Sequence, residues 1–325
     1  MQSRNIVKAL LATGVACTMS VAYGQGQTFP VKPVRLVISF PPGAGPDVLA
    51  RALSPKLAEK WGHQVVADNR PGGGGNLAVE LVARSAQDGH TLVVLSNHFT
   101  INPALFRKVP YDPVNEFTPI VLATWTPTAM VVHPSVPVSD IKGFLALARS
   151  RPGQFDFSSG GNGSVSHMAG TLLQAATGIK FVHVPYRGPA EASIAVVGGH
   201  VAFSFITMPS ALTHTRAGRL KALAVSSAKR SVAAPEWRTV AESGVPGFDI
   251  FAWQGILAPA GIPANIAHTL NRDILAALGA AEVKTTLANL GLEVLGGTPA
   301  DFAQFISKDL VTWTDVVRKT GAKVD

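Results

Sequence analysis

The sequence predicts an α/β fold in two lobes built on mostly parallel sheets. Three observations carry this. The chain has 325 residues, about twice the roughly 150 residues of one domain. Short apolar runs alternate with helical segments, the pattern of strands buried on both faces between crossover helices. The alternation then stops in a proline-rich stretch near 101–119 and restarts beyond it. Only 15% of residues are charged and 47% are hydrophobic, against an average near 25% charged, which excludes a disordered or coiled-coil chain.

Residues 1–24 read as an export signal. Arg4 and Lys8 precede the apolar or small run 9–22, and Ala22-Tyr23-Gly24 supplies small residues for cleavage. The run is too short to span a bilayer. Cys17, the only cysteine, lies inside it, with Gly14 where a lipobox would carry a leucine-like residue. The cleaved chain then has no disulfide, thiol nucleophile or thiolate metal site. The net charge of +8 falls to +6 without Arg4 and Lys8. That surface suits an anionic partner, but the cations are scattered and no RNA-binding signature appears, so nucleic acid is not expected.

The elements follow in order. Val34–Phe40 is a buried strand ended by Pro41-Pro42-Gly43-Ala44-Gly45-Pro46-Asp47. A helix over 47–61 carries Leu49, Leu53, Leu57 and Trp61, with Pro55 expected to kink it or remove a hydrogen bond. Val65–Ala67 is a strand, 69–75 a turn, 76–85 a helix and Thr91–Ser96 a third strand. Strands at Val121–Trp125 and Ala129–His133 lead into the second lobe. There Phe155–Ser158 is a strand, 159–163 a glycine-rich turn, and 164–177 a helix with an apolar face from Val165 to Ala176. Strands at Phe181–Val184, Val201–Ile206 and Leu220–Val225 alternate with helices near 189–198 and 209–217. The chain returns through Trp253–Ala258 into two more helices, the last opened by Thr298-Pro299-Ala300-Asp301, a capping box with proline at its first turn.

Two glycine-rich loops, Pro41–Asp47 and Ser158–Ser164, each join a buried strand to a helix. A helix N-terminus leaves backbone N–H groups unpaired and carries roughly half a positive charge. Glycine lets a ligand approach that backbone closely. Facing across a cleft, the two loops would hold an organic acid; equally, glycine and proline serve tight strand-to-helix turns. Pro41, Pro42, Gly43, Ala44, Gly45 and Asp47 form the first candidate group, with Asp47 read as capping its helix or ordering the loop. Ser158, Gly160, Gly161, Asn162, Gly163, Ser164 and His167 form the second. Ser164 either donates to a carboxylate or caps its helix, and His167 either donates, gaining charge when protonated, or packs under the loop. Ser96, Asn97, His98, Tyr186 and Thr207 stand at or beyond strand ends as further donors. Arg187 reads as a solvated charge.

Several chemistries are excluded. Gly73–Ala78 fits G-x-G-x-x-A, but Asn69-Arg70-Pro71 separates it from its strand and no acid ends the next strand, so it is a turn. No phosphate-binding P-loop or G-x-S-x-G elbow occurs. The nine histidines never take zinc-site spacing. No cofactor, metal or catalytic residue is expected.

Longer stretches carry a family likeness: FPVKPVRLVISFPPGAGPDVLAR (29–51), VVADNRPGGGGNLAVELVARSAQDGHTLVV (65–94), VPYDPVNEFTPI (109–120), FSSGGNGSVSHMAG (157–170), VHVPYRGPAEA (182–192), LKALAVSS (220–227), AESGVPGF (241–248) and APAGIPA (258–264). The chain resembles the extracytoplasmic solute-binding receptors of tripartite tricarboxylate transporters, the Bug type, from Phe29 to the C-terminus. The resemblance implies a type II periplasmic binding protein with two inter-lobe crossings. Lobe 1 is then 25–125 with 250–325, and lobe 2 is 126–249. It implies capture of a small carboxylate for a membrane transporter, a periplasmic location and, as expected partners, transporter subunits or a sensor protein; a monomer is expected. A sensor role without a transporter, and an exported hydrolase using Ser164 with His167, are the alternatives. The chain departs from the family in reading PPGAGPD where PPGGATD is usual, which removes a hydroxyl near Pro46. It also reads VAFSFITMPS (201–210) where VDVMFDNLPS is common; without an acid at Ile206, an amino-acid ligand is disfavoured.

Overall fold

The computed structural model describes residues 29–323. The expected export signal, with Cys17, lies outside the described residues. The first strands and helices are β1 (Val34–Ile38), α1 (Gly45–Trp61), β2 (Val65–Asn69), a 3-10 turn at Gly73–Gly75, α2 (Asn76–Ala83) and β3 (Thr91–Ser96). β1 runs parallel to both β2 and β3. Val34, Leu36, Val37 and Ile38 are fully buried, as expected for a strand covered on both faces. α1 lays Leu49, Ala50, Leu53 and Leu57 against it. Pro55 does not end α1: it sits on the exposed side and the helix continues to its Gly62 cap.

The proline-rich stretch is not wholly irregular. It opens with α3 (His98–Leu105), which contains Pro103. Packing rather than propensity holds this helix, since Phe99, Ile101 and Leu105 are buried. Beyond it the two strands expected at 121–125 and 129–133 form one 16-residue strand, β4 (Phe117–Val132). Pro119 falls at a register shift and Pro127 at the changeover between partners; a missing ladder N–H is tolerated at such irregularities.

The remaining elements are α4 (Ile141–Ser150), β5 (Asp156–Ser159), α5 (Val165–Thr177), β6 (Val182–Pro185), α6 (Pro189–Val197), β7 (Phe203–Thr207), α7 (Met208–Arg216), β8 (Lys221–Val225), β9 (Phe251–Pro259), α8 (Ala264–Gly279), α9 (Ala281–Asn289), β10 (Glu293–Val294) and α10 (Pro299–Thr320). α4, capped by Asp140, has no counterpart in the sequence reading. Three helices, not two, follow β9, because Ala280 leaves the helical path between α8 and α9. The capping box at Thr298 and Asp301 is present.

β5 runs parallel to β6 and β7, repeating the β2–β1–β3 arrangement. The two arrays join through antiparallel strands. β9 pairs with β3 and with β4 from Phe117 to Pro127. From Thr128 onward β4 pairs with β7 and β8 instead. The chain thus passes from one array to the other at Pro127–Thr128 and back at Ile250–Phe251. Ser226 ties both passages: its Oγ accepts from the Thr128 amide at 3.0 Å and donates to the Ile250 carbonyl at 2.6 Å. α10 is shared, with Phe302 and Ile306 in the core of the first array and Trp313 and Val316 in that of the second.

Candidate functional site

At the carboxyl end of β1 the first loop is built around a buried carboxylate. Asp47 Oδ2 accepts from the Gly43 amide at 2.9 Å, and Oδ1 accepts from Asn69 Nδ2 and Arg51 Nε, each at 2.9 Å. Burial alone would raise the Asp47 pKa, but these bonds and the Arg51 charge hold it below the usual aspartate value. Asp47 is therefore the loop's ordering group, its negative charge answered by protein donors. The Ala44 amide reaches Pro41 O at 3.3 Å. Gly45 and Asp47 keep amides with no partner among the described residues, at the N-terminus of α1. Pro41 and Pro42 are exposed. A Cβ at Gly45 would lie 2.9 Å from Gln254 Nε2. Gln254, buried on β9, bonds Thr124 Oγ1 on β4 and stands opposite Ser96.

The second loop spends most of its amides on itself. Gly160 donates to Ser166 Oγ, Gly161 to Ser159 Oγ, and Gly163 to His167 Nδ1 at 3.1 Å. The Ser164 amide reaches Gly161 O. The glycine amides are thus taken up within the loop, and those without a partner among the described residues belong to Asn162, Val165 and Ser166. Ser164 is a helix cap, accepting from the His167 amide at 3.3 Å while its hydroxyl donates to Gly161 O at 2.6 Å. Its proton is thus spent, and no bond joins its hydroxyl to the His167 ring, so the pair lacks the geometry of a nucleophile and base. Ser158 is fully buried, its hydroxyl bonded to Ala192 O, and frames the strand.

His167 stacks on His183 with ring centroids 4.1 Å apart. Burial, then the neighbouring His183, lowers its pKa to about 3. It is a neutral ring under the loop, the second of the two roles open to it in the sequence. His183, whose Nε2 lies 2.6 Å from Ser159 Oγ, is lowered to about 4 by burial.

Other candidates divide. Asn97 is committed to β9, donating to Phe251 O at 3.0 Å and accepting from the Trp253 amide at 3.0 Å; Ser96 donates to Asn97 Oδ1. These two build the strand end. His98 is buried with both ring nitrogens unpartnered. Tyr186 is half-buried and its amide donates to Ser159 O. Thr207 is exposed at the end of β7, opposite Thr128, and Arg187 is exposed.

α3 brings the two loops to one support. His98 meets Phe40, at the root of the first loop, in an edge contact of 5.1 Å. One turn on, Asn102 faces the second loop: a Cβ at Gly163 would lie 3.2 Å from its Oδ1. Asn102 Nδ2 also holds Gly74 O and Asn76 Oδ1. Residues i and i+4 share a helix face, so one face of α3 borders both loops. Gln254, Asn102 and His183 escaped the sequence reading. Only Gln254 left a signal there, as a lone amide inside the apolar run 253–258.

Comparison with known proteins places this arrangement. The model of TctC, the tripartite tricarboxylate transporter family receptor, matches residues 49–322. BugT of Bordetella pertussis is 33% identical over 322 residues, 98% of this chain and 97% of that protein. R. palustris Rpa4515, solved with adipate, superposes with a TM-score of 0.81 at 32% identity, covering 90% of this chain and 98% of that one. MatC from Rhodopseudomonas palustris, solved with bound malate, gives 0.78 at 33% identity, covering 89% and 100%. On a family match running from the first turns of α1 to the end of α10, the chain belongs to the tripartite tricarboxylate transporter receptors, the solute-binding proteins of the TctC and Bug type.

Proposed function

We propose that this chain captures a small organic acid between its two lobes in the periplasm and presents it to a membrane transporter, without catalysis. Lobe 1 comprises 25–125 with 250–325, and lobe 2 comprises 126–249. The observation that carries the reading is the pair of strand-to-helix loops bordering one face of α3, each with unpaired amides at a helix N-terminus. Such amides bind carboxylate oxygens without a compensating cation. The Gly45 and Asp47 amides serve one end of the acid, and the Asn162, Val165 and Ser166 amides the other. Pro41, Pro42, Gly43, Ala44, Gly160, Gly161 and Gly163 shape the walls, and Tyr186 and Thr207 border the lobe 2 side. The adipate and malate held by two similar proteins are acids of the size this reading requires.

Closure buries the ligand, whose charge must then be met by several hydrogen bonds. Donors on both lobes make binding favour the closed state, and that differential affinity drives closure. Isothermal titration of the mature protein with malate, adipate and a panel of other organic acids tests this. Saturable binding of at least one acid, with no turnover, is expected. Absence of binding across the panel, alongside a melting shift with a non-acid ligand, overturns it.

A further inference from the structure

Among the described residues the buried side-chain polar atoms without a partner lie on His98, His214 and Trp313, and His98 alone is unpartnered at both of its ring nitrogens. Buried polar groups are otherwise almost always paired, so each exception calls for an explanation. The neighbours of His98 follow the rule. Ser96, Asn97, Thr100 and Asn102 all bond to protein groups. A framework residue would have been satisfied in the same way. A group that awaits a partner from outside would not.

The position of His98 fits the second case. It opens α3 immediately beyond β3, at the carboxyl end of a parallel strand, where α/β proteins gather ligands. Phe40 packs on its ring from the root of the first loop. A Cβ at Gly163 of the second loop would lie 3.2 Å from Oδ1 of Asn102, one turn on. The unpaired imidazole therefore adjoins the root of the first loop, on the helix face that also borders the second.

Gly75, the last of a run of four glycines, packs against it. A Cβ at Gly75 would lie 2.4 Å from the ring. Gly72, Gly73, Gly74 and Gly75 all take positive φ, at 138°, 57°, 65° and 92°. None of the four has a side chain of its own to anchor the turn. One of its ties is the bond from Asn102 Nδ2 to Gly74 O at 3.0 Å. Asn102 also stands beside Gly163 of the second loop, so a lobe movement at Gly163 acts on the residue that ties this turn.

We propose that His98 is a specificity-determining residue of the cleft, supplying a neutral hydrogen bond to the captured acid once the Gly72–Gly75 turn shifts off its ring. Burial lowers the His98 pKa to about 3, so at neutral pH the ring carries one N–H donor and one bare nitrogen. Such a donor adds direction to the site without adding charge. The inference rests on the carboxylate reading above.

Titration calorimetry of the mature wild-type protein, His98→Leu and His98→Gln with malate and adipate tests it, together with 15N spectra of the His98 ring in the wild type. His98→Leu keeps the volume and removes the nitrogens; it is expected to bind the better of the two acids at least tenfold more weakly, with an unliganded Tm equal to or above wild type. His98→Gln is expected to recover part of that loss. The ring 15N resonances are expected to move on saturation. Wild-type-like affinity in His98→Leu, or ring resonances unmoved at saturation, overturns the inference while leaving the carboxylate reading intact. Failure of the wild type to bind any organic acid overturns both. If His98→Leu does not fold, the ring spectra and His98→Gln decide.

Discussion

The Gly163 amide donates to Nδ1 of His167 at 3.1 Å, which leaves the His167 proton on Nε2 and fixes the ring as a neutral acceptor. The bond makes the second loop sensitive to acid. His167 and His98 are held to about 3 and His183 to about 4, all mainly by burial, against 6.5 for a free histidine. Between pH 6.5 and about 4 the unfolded chain binds protons on these rings that the folded chain refuses. Stability is therefore complete above pH 6.5 and falls as pH drops toward the folded values. The lowered carboxylates Asp47, Asp68, Asp88 and Asp273 lose their contribution only below 3.8. Asp309 and Glu293, raised by burial, act in the opposite direction. The melting temperature is expected to decline from pH 6.5 to 4, and less steeply in a His167→Gln/His183→Gln variant. An unchanged slope in that variant would place the acid sensitivity elsewhere.

Gly75 and Gly43 share a positive φ, at 92° and 85°, but differ in their surroundings. A Cβ at Gly43 meets nothing within 4 Å, whereas one at Gly75 strikes the His98 ring. Left-handed backbone costs an alanine roughly 1–2 kcal/mol. Gly43→Ala is expected to lose about that much, and Gly75→Ala clearly more, because the ring is enclosed. Chemical denaturation ranks the two. Equal losses would mean that the Gly72–Gly75 turn yields freely and that the steric contact carries no weight.

Asp47 separates two roles by the sign of its effect on binding. As a ligand contact, its charge would repel an acid, and Asp47→Asn would tighten binding. As the group that orders the first loop through Gly43, Asn69 and Arg51, its loss should weaken binding and destabilise the fold by about 1–3 kcal/mol. The second pair of outcomes is expected from malate titration and urea unfolding of Asp47→Asn. Tighter binding at unchanged stability would return Asp47 to the ligand.

The sequence displayed what is local and hid what is distant. Both loops were legible because a buried strand, a glycine cluster and a helical period adjoin within a dozen residues. The capping box at Thr298 and Asp301 was legible for the same reason. α3 was not, because Pro103 argues against a helix and only the burial of Phe99, Ile101 and Leu105 overrides it. β4 read as two strands because Pro127 argues for a break, although the proline falls where pairing changes from β9 to β7 and β8. Which amides stay free depends on the side chains of Ser159, Ser166 and His167 folding back onto Gly160, Gly161 and Gly163. Residue types do not reveal that choice. Gln254 reaches Gly45 only because β9 returns beside β3, a register set by the whole first array.

Ser226 offers the sharpest test of how the two passages between lobes are held. It is fully buried. Its Oγ accepts from the Thr128 amide and from Thr128 Oγ1, and donates to Ile250 O. Its own amide and carbonyl bond Thr128 O at 2.8 Å and the Ile250 amide at 3.0 Å. Both strands leaving the lobe junction are thus fastened to one residue. Ser226→Ala keeps the backbone bonds but leaves a buried N–H, a hydroxyl and a carbonyl short of a partner. Each unpaired buried group costs about 1–3 kcal/mol, and relaxation recovers part of the sum, so a net loss of about 2–4 kcal/mol is expected in urea unfolding. Because the bonds join the passages rather than the loops, the loss should reach ligand affinity through lobe orientation. Thr207→Ala, exposed beside the same junction, should leave stability within about 0.5 kcal/mol of wild type. Similar, small losses in both variants would show that the hinge is set by strand pairing alone and that the Ser226 hydroxyl is dispensable.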